Sequence, residues 1–175
     1  MIFLYIFFGI LILFVLAAVL VPKQYDIQRS ISINRPISEV FTYLTYLKNQ
    51  DQWSPWSKRD PNMEKEFHGT DGTVGAVSHW KGNKKVGEGE QEIKGIIENE
   101  RIDSELRFLK PFKSTSDAYL LTRKLSPNET EVIWGFSGTH KPPMNVMMLF
   151  FNMEKSVGAD FEEGLRDLKQ QLETP

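Results

Sequence analysis

The chain has 175 residues, a formal net charge of −2 and no cysteine. The missing cysteines exclude a disulfide framework, a thiol nucleophile, a cysteine-ligated zinc site and an iron–sulfur site. The basic residues are scattered, which excludes the electrostatic footprint of a nucleic-acid binder.

The only histidines are His68, His79 and His140. None stands at a metal-ligand spacing from another, so no histidine-rich metal site is expected, and no motif calls for a cofactor. Residues 1–21 read MIFLYIFFGILILFVLAAVLV and contain no charged side chain. At 1.5 Å rise per residue this run is roughly 30 Å long, the thickness of a bilayer's hydrocarbon layer. Residues 1–22 are therefore expected to form a membrane-spanning anchor, closed at the interface by Pro22 and Lys23. The competing reading is a cleaved signal peptide with Val15-Leu16-Ala17 before its cleavage site. The run lacks a basic n-region and is longer than the usual h-region, which favours the anchor. Lys23, Arg29 and Arg35 follow the run and no Lys or Arg precedes it. By the positive-inside rule this single-pass arrangement predicts a cytoplasmic domain.

Residues 25–173 have the length of one ordinary domain. From Asp26 to Asn34, Ile27, Arg29, Ile31 and Ile33 alternate with Gln28, Ser30 and Ser32, which predicts a strand with one buried face. Pro36 suits a first helical turn. Ile37, Val40, Phe41, Leu44 and Leu47 then recur at helical spacing. Gln52 to Asn62, interrupted by Pro55 and Pro61, reads as loop. Strands are predicted over 63–68, 75–81, 87–98, 101–110, 113–125 and 130–140, separated by turn residues such as Asp71-Gly72, Gly82-Asn83 and Ser126-Pro127-Asn128. In the third of these, Gln91, Ile93 and Ile97 are assigned to one face. Consecutive strands with short turns imply an antiparallel meander. Val157, Phe161, Leu165, Leu168 and Leu172 make one stripe of a final helix. The fold class is α+β: a curved antiparallel sheet wrapped around a long C-terminal helix, with a cavity expected where the two cannot touch.

Several segments carry a family resemblance. They are Trp53-Ser54-Pro55-Trp56 with Asp60-Pro61, Trp80-Lys81-Gly82-Asn83, Val86-Gly87-Glu88-Gly89, and Leu106-Arg107-Phe108 with Lys110-Pro111-Phe112. To these add Val132-Ile133-Trp134 and the run from Gly158 to Leu165. In these motifs the domain resembles the polyketide cyclase/dehydrase and lipid transport family (SRPBCC), within the START-like helix-grip superfamily, and looks most like its membrane-anchored bacterial members. The resemblance covers residues from about 25 to 172. It implies a helix-grip fold with a cavity between sheet and helix. It implies no particular reaction, because such a fold hosts carriers, cyclases and domains without catalysis.

The candidate ligand-binding residues are Trp53, Trp56, Trp80, Phe108, Trp134 and Phe136. Trp53 and Trp56 flank Pro55 and could form an aromatic lip, or plug one end of the core. Phe108, Trp134 and Phe136 lie on inward parity, where core packing and cavity lining are the same surface. His79 and Trp80 are neighbours on one strand, so only one of them can face a cavity. His79 and His140 are the candidate acid–base residues, since an imidazole titrates near neutral pH; each also fits an exposed or merely structural role. Glu88, Glu90 and Glu92 share a strand face that reads as solvent-exposed, with Lys94 extending the row, and Arg107 is expected to point outward too. Met144 to Met153 is too apolar for one helical stripe; a lid, a helix start and a bilayer-touching surface all fit it.

Three functions compete. One is a membrane-tethered binding domain for a hydrophobic small molecule or lipid. Another is a cyclase- or dehydratase-type enzyme, which needs an ionisable residue deep in the pocket. The last is a co-chaperone-like protein–protein module, which needs an exposed apolar patch, for which residues 144–153 are the only candidate.

Overall fold

The computed structural model describes residues 2–140, 142, 144–147 and 152–174. Helix α1 (Ile2–Leu20) carries apolar side chains on every side and leaves them exposed, and it is long and apolar enough to cross a membrane. Three residues later the chain enters β1 (Gln24–Ile33). Three short helices follow: α2 (Ile37–Thr45), α3 (Leu47–Trp53) and α4 (Pro55–Arg59). Six strands come next: β2 (Glu64–His68), β3 (Val77–Lys81), β4 (Glu88–Ile97), β5 (Arg101–Lys110), β6 (Ser114–Ser126) and β7 (Glu129–Thr139). A short α5 (Met144–Met147) precedes the long α6 (Met153–Glu173).

The seven strands form one antiparallel sheet in the order β1-β7-β6-β5-β4-β3-β2. Only the path from β1 to β2 departs from a meander; α2, α3 and α4 carry it to the opposite edge of the sheet. The predicted antiparallel sheet and long C-terminal helix are both present. Helix α6 packs along β1 and is pinned there by polar links. Arg29 donates to Glu162 and Glu154 at 2.9 and 2.8 Å, Lys169 Nζ donates to the Ser32 carbonyl at 2.7 Å, and Arg35 Nε donates to the Leu172 carbonyl at 2.8 Å. The Ser32 link also occupies a backbone carbonyl on an edge strand that would otherwise lack a partner. Phe161, Leu165 and Leu168 of the expected stripe are buried against the sheet.

Two expectations are corrected. Residues 52–62 are not continuous loop, because α3 runs to Trp53 and α4 follows at once. Pro55 opens α4, where its fixed φ suits the first turn. The start of α3 is capped from a distance: the Asp71 carboxylate accepts from the Leu47 and Lys48 backbone amides at 2.8 and 3.3 Å. No local sequence signal reveals a cap lying 24 residues away. The second correction concerns β4. The register against β5 shifts between Ile93 and Gly95, leaving Lys94 as an extra residue. Beyond this bulge the faces swap, so Ile96 packs on the core and Ile97 is 51% exposed.

The interior divides along the strands. At the end formed by Ile33, Val132 and helix α2 the core is solid, with Ile33, Val40, Val132 and Leu168 fully buried. Towards the end where β1 begins, the sheet and α6 separate.

Candidate functional site

That separation is a cavity of about 280 Å³ between the inner face of the sheet, the N-terminal half of α6, and α3 and α4. Its floor follows the strand register. One cross-strand row runs Phe108–Gly89–Trp80–Lys65 and the next runs Leu106–Gln91–Ser78. A third places Ala118 beside Phe136. In the first row Gly89 has no side chain, and the Trp80 indole lies across the space. A Cβ there would fall 2.5 Å from the indole. This is how Trp80 reaches Phe108, edge to face at 6.1 Å. In the third row the small Ala118 leaves depth that a larger residue would fill. The roof comprises Val157, Asp160 and Phe161 of α6, Leu47, Gln50 and Asp51 of α3, and Trp56 and Ser57 of α4, with Ser54 at the α3–α4 junction.

Of the residues singled out from the sequence, Trp56, Trp80, Phe108, Trp134 and Phe136 line this cavity. Trp53 does not. It is 1% exposed and sits behind Trp134, edge to face at 4.8 Å, with its indole nitrogen buried and without a hydrogen-bond partner among the described residues. Trp53 therefore plugs the core, and Trp56 alone of the pair faces the space. Rigid rings in edge-to-face contact hold such a wall in one shape.

Neither histidine lines the cavity. His79 is on the outer face of β3, its Nε2 3.7 Å from the Glu88 carboxylate. His140 lies past the end of β7, stacked on Tyr25 at 4.5 Å, and burial pushes its imidazole below the ordinary histidine value. Tyr25 reaches over Gly138 to hydrogen-bond Ser116 at 2.8 Å, and burial raises its phenol.

Glu88, Glu90 and Glu92 lie on the outer face as expected. Arg107 donates to Glu90, Glu92 and Glu105 at 2.9, 2.6 and 2.6 Å. Arg107 and then Lys94 hold the Glu92 carboxyl below its usual range, and Lys110 does the same for Glu88. These carboxylates form a surface ion-pair lattice rather than an acid–base pair.

The sequence reading missed the polar part of the lining. Lys65 is ion-paired with Asp51 and donates to Ser57 Oγ at 3.1 Å. Asp160 is paired with Arg59, whose guanidinium sits 6.0 Å from the Trp56 ring centroid. Gln91 Nε2 donates to Ser104 at 3.4 Å. Lys65 alternates with Glu64 and Glu66 and shares the parity of Phe67, a signal for the inner face that the sequence already contained. Each charge in the lining has an opposite partner, so the cavity presents apolar rings and neutralised polar groups. Among the described residues no three His, Asp or Glu side chains gather as metal ligands.

No protein-family model matches the chain, and no curated protein does. Solved structures match throughout the domain. A protein from Nitrosospira multiformis superposes with a TM-score of 0.61 at 18% identity, over 86% of this chain and 97% of that one. The Aha1 dimer from Colwellia psychrerythraea gives 0.58 at 16% identity, over 85% and 96%. DynU16, from the dynemicin biosynthetic locus, gives 0.58 at 15% identity, over 85% of this chain and 47% of that one. The shared feature is the fold: a helix-grip domain with an antiparallel sheet and a long C-terminal helix.

Proposed function

We propose that the chain is a membrane-tethered binding domain, with α1 as a retained single-pass anchor and the cavity as the seat of a hydrophobic small molecule or lipid. The observation that carries this reading is the cavity itself. Its volume of about 280 Å³ lies close to the roughly 300–1,000 Å³ typical of small-molecule sites. Its walls are Trp56, Trp80, Phe108, Trp134, Phe136 and Phe161. Such rings supply large apolar area at little cost in side-chain entropy. For α1, an apolar run longer than the usual signal-peptide h-region supports retention over cleavage. Lys23 directly after the helix supports a cytoplasmic domain.

The full chain in detergent, titrated with a fluorescent apolar probe, a fatty acid and an isoprenoid quinone, should bind at least one of them saturably. Ala118→Phe should abolish that binding by filling the space while leaving the fold intact. Absence of saturable binding by all three, in protein that melts cooperatively, would defeat the reading. Mass spectrometry of molecules that copurify would identify the natural guest.

A second reading, a cyclase- or dehydratase-type reaction in the same cavity, draws on one observation: Lys65, Asp51 and Ser57 form a hydrogen-bonded polar cluster in the lining. Under that reading the acid–base work falls to this cluster and not to His79 or His140. Lys65→Met would then stop turnover while leaving apolar-probe binding in place. The protein-module reading leaned on 144–153, of which residues 148–151 lie outside the described residues.

A further inference from the structure

Only Val21, Pro22 and Lys23 separate α1 from β1. An extended chain advances about 3.3–3.6 Å per residue, so the steps from Leu20 to Gln24 reach at most roughly 14 Å. The headgroup layer on one side of a bilayer is itself roughly 5–8 Å thick. If α1 spans, as proposed above, the Gln24 end of the sheet cannot leave the membrane surface. Asn145 shortens the reach further: its Nδ2 donates to the Ala18 and Val21 carbonyls at 3.0 and 3.2 Å, tying α5 to the end of α1.

The strand register identifies what else lies at this end. Gln24 pairs with Thr139, Phe108 with Ser114, Glu88 with both Lys110 and Lys81, and Lys81 with Glu64. The connections 82–87 and 111–113 therefore leave the sheet on the side of the tether, and so does 60–63. The β4–β5 and β6–β7 turns lie at the opposite end. The tether-side loops carry Lys84, Lys85 and Lys113, all exposed and without an ion pair among the described residues. Next to Lys113 in the chain, Phe112 is 74% exposed. The β4–β5 turn at the far end instead exposes Glu98 and Glu100. Two of the tether-side loops also border the cavity, through Met63 and Val86. They are bound to each other, since the Asn83 amide donates to the Asp60 carboxylate at 2.6 Å.

We propose that this end of the domain docks on an anionic bilayer surface, with Lys84, Lys85 and Lys113 on lipid headgroups and Phe112 inserted, so that the guest passes between bilayer and cavity past Met63 and Val86. A basic cluster held within a Debye length of anionic headgroups is attracted to them, and an exposed Phe ring beside it buries apolar area at the headgroup–acyl boundary. This rests on α1 spanning the membrane and on the cavity reading. It adds the surface, the lipid charge and the route.

The chain has no cysteine, so single labels can be introduced cleanly. Phe112→Cys and Asn128→Cys, each carrying an environment-sensitive fluorophore, would be compared in full-length protein reconstituted in phosphatidylcholine vesicles with and without phosphatidylglycerol. The label at 112 should blue-shift and become quenchable by lipid-borne quenchers, more strongly with phosphatidylglycerol, while the label at 128 stays in water. Replacing Lys84, Lys85 and Lys113 by Gln should lower the docked-to-undocked ratio roughly fivefold per lysine on the anionic vesicles. It should change little on the neutral ones. A label at 112 as water-exposed as that at 128, in protein that resists carbonate extraction, overturns the docking and leaves the tether standing. Extraction by carbonate overturns the tether and the docking together. Probe binding measured in detergent reads the cavity independently of both.

Discussion

The rings of Trp134 on β7 and Phe161 on α6 lie stacked, with centroids 4.2 Å apart and planes 17° from parallel. Trp53 meets Trp134 edge-on from behind and Trp56 meets it edge-on from the cavity side, at 4.8 and 5.7 Å. One indole thus joins the sheet, α6, α3 and α4, and the cavity opens where this cluster stops. Truncating Trp134 to Ala should cost about 3–5 kcal/mol of unfolding free energy, the range for removing a packed aromatic ring. Urea denaturation of the full chain in detergent measures it. Probe affinity should fall by more than in a comparably destabilised variant away from the cavity, such as Phe41→Ala.

Gly164 lets α6 come close to this cluster. A Cβ there would lie 2.7 Å from the Trp134 ring and 3.1 Å from Pro55. Two effects oppose each other in Gly164→Ala. Alanine is about 0.8–1.0 kcal/mol better than glycine in a helix interior. Overpacking a close-packed core costs typically about 1–3 kcal/mol. The contact distances favour the second, so the variant should melt at a lower temperature than the parent. A rise in melting temperature would mean that the ring moves aside freely.

His140 makes stability depend on pH in a definite direction. Burial against Tyr25 lowers its folded-state value below that of the unfolded chain, so the unfolded chain binds the proton more readily. The contribution is complete above the unfolded value of about 6.5 and is lost as pH falls through that value towards the depressed folded one. Denaturation midpoints should therefore drop on acidification from neutral pH. His140→Phe, which keeps an aromatic ring on Tyr25, should flatten that slope.

Asp71 holds α3, the helix that brings Leu47, Gln50 and Asp51 to the cavity. Asp71→Ala should cost about 0.5–2 kcal/mol, the range for losing a helix cap. Amide exchange at Leu47 and Lys48 should accelerate before the rest of the domain. Equal acceleration across the sheet would instead assign Asp71 a global role.

Much of the frame is legible in the residues because periodicity has a local cause. The 3.6-residue stripe of Val157, Phe161, Leu165 and Leu168 requires a half-buried helix. The alternation of Ile27, Ile31 and Ile33 requires a one-sided strand. The parity of Phe108, Trp134 and Phe136 puts these rings on the inner face, where the structure has them. The outward face of Arg107 and the glutamates follows from the same alternation. Where a cause is remote, the sequence is silent. The cap on α3 comes from Asp71, 24 residues away, and the prolines that make 52–62 read as loop include Pro55, which opens α4. The extra residue at Lys94 reverses the faces beyond it; Gly95 beside it is a local hint, since a glycine inside a strand often marks a bulge, but it does not fix which residue is extra.

The sequence by itself determined an apolar N-terminal helix long enough to span a bilayer, an α+β domain with an antiparallel sheet, and a set of inward-facing aromatic rings. Each follows from interactions between residues a few positions apart. Only the tertiary structure decided which rings wall a cavity and which fill the core, that Trp56 faces the space while Trp53 is buried behind Trp134, and that Lys65, Asp51 and Ser57 converge there. It also decided that His79 and His140 lie outside. These outcomes depend on how closely α3, α4 and α6 approach the sheet, and that distance is set by side-chain volumes meeting across elements far apart in the chain, which no local periodicity encodes.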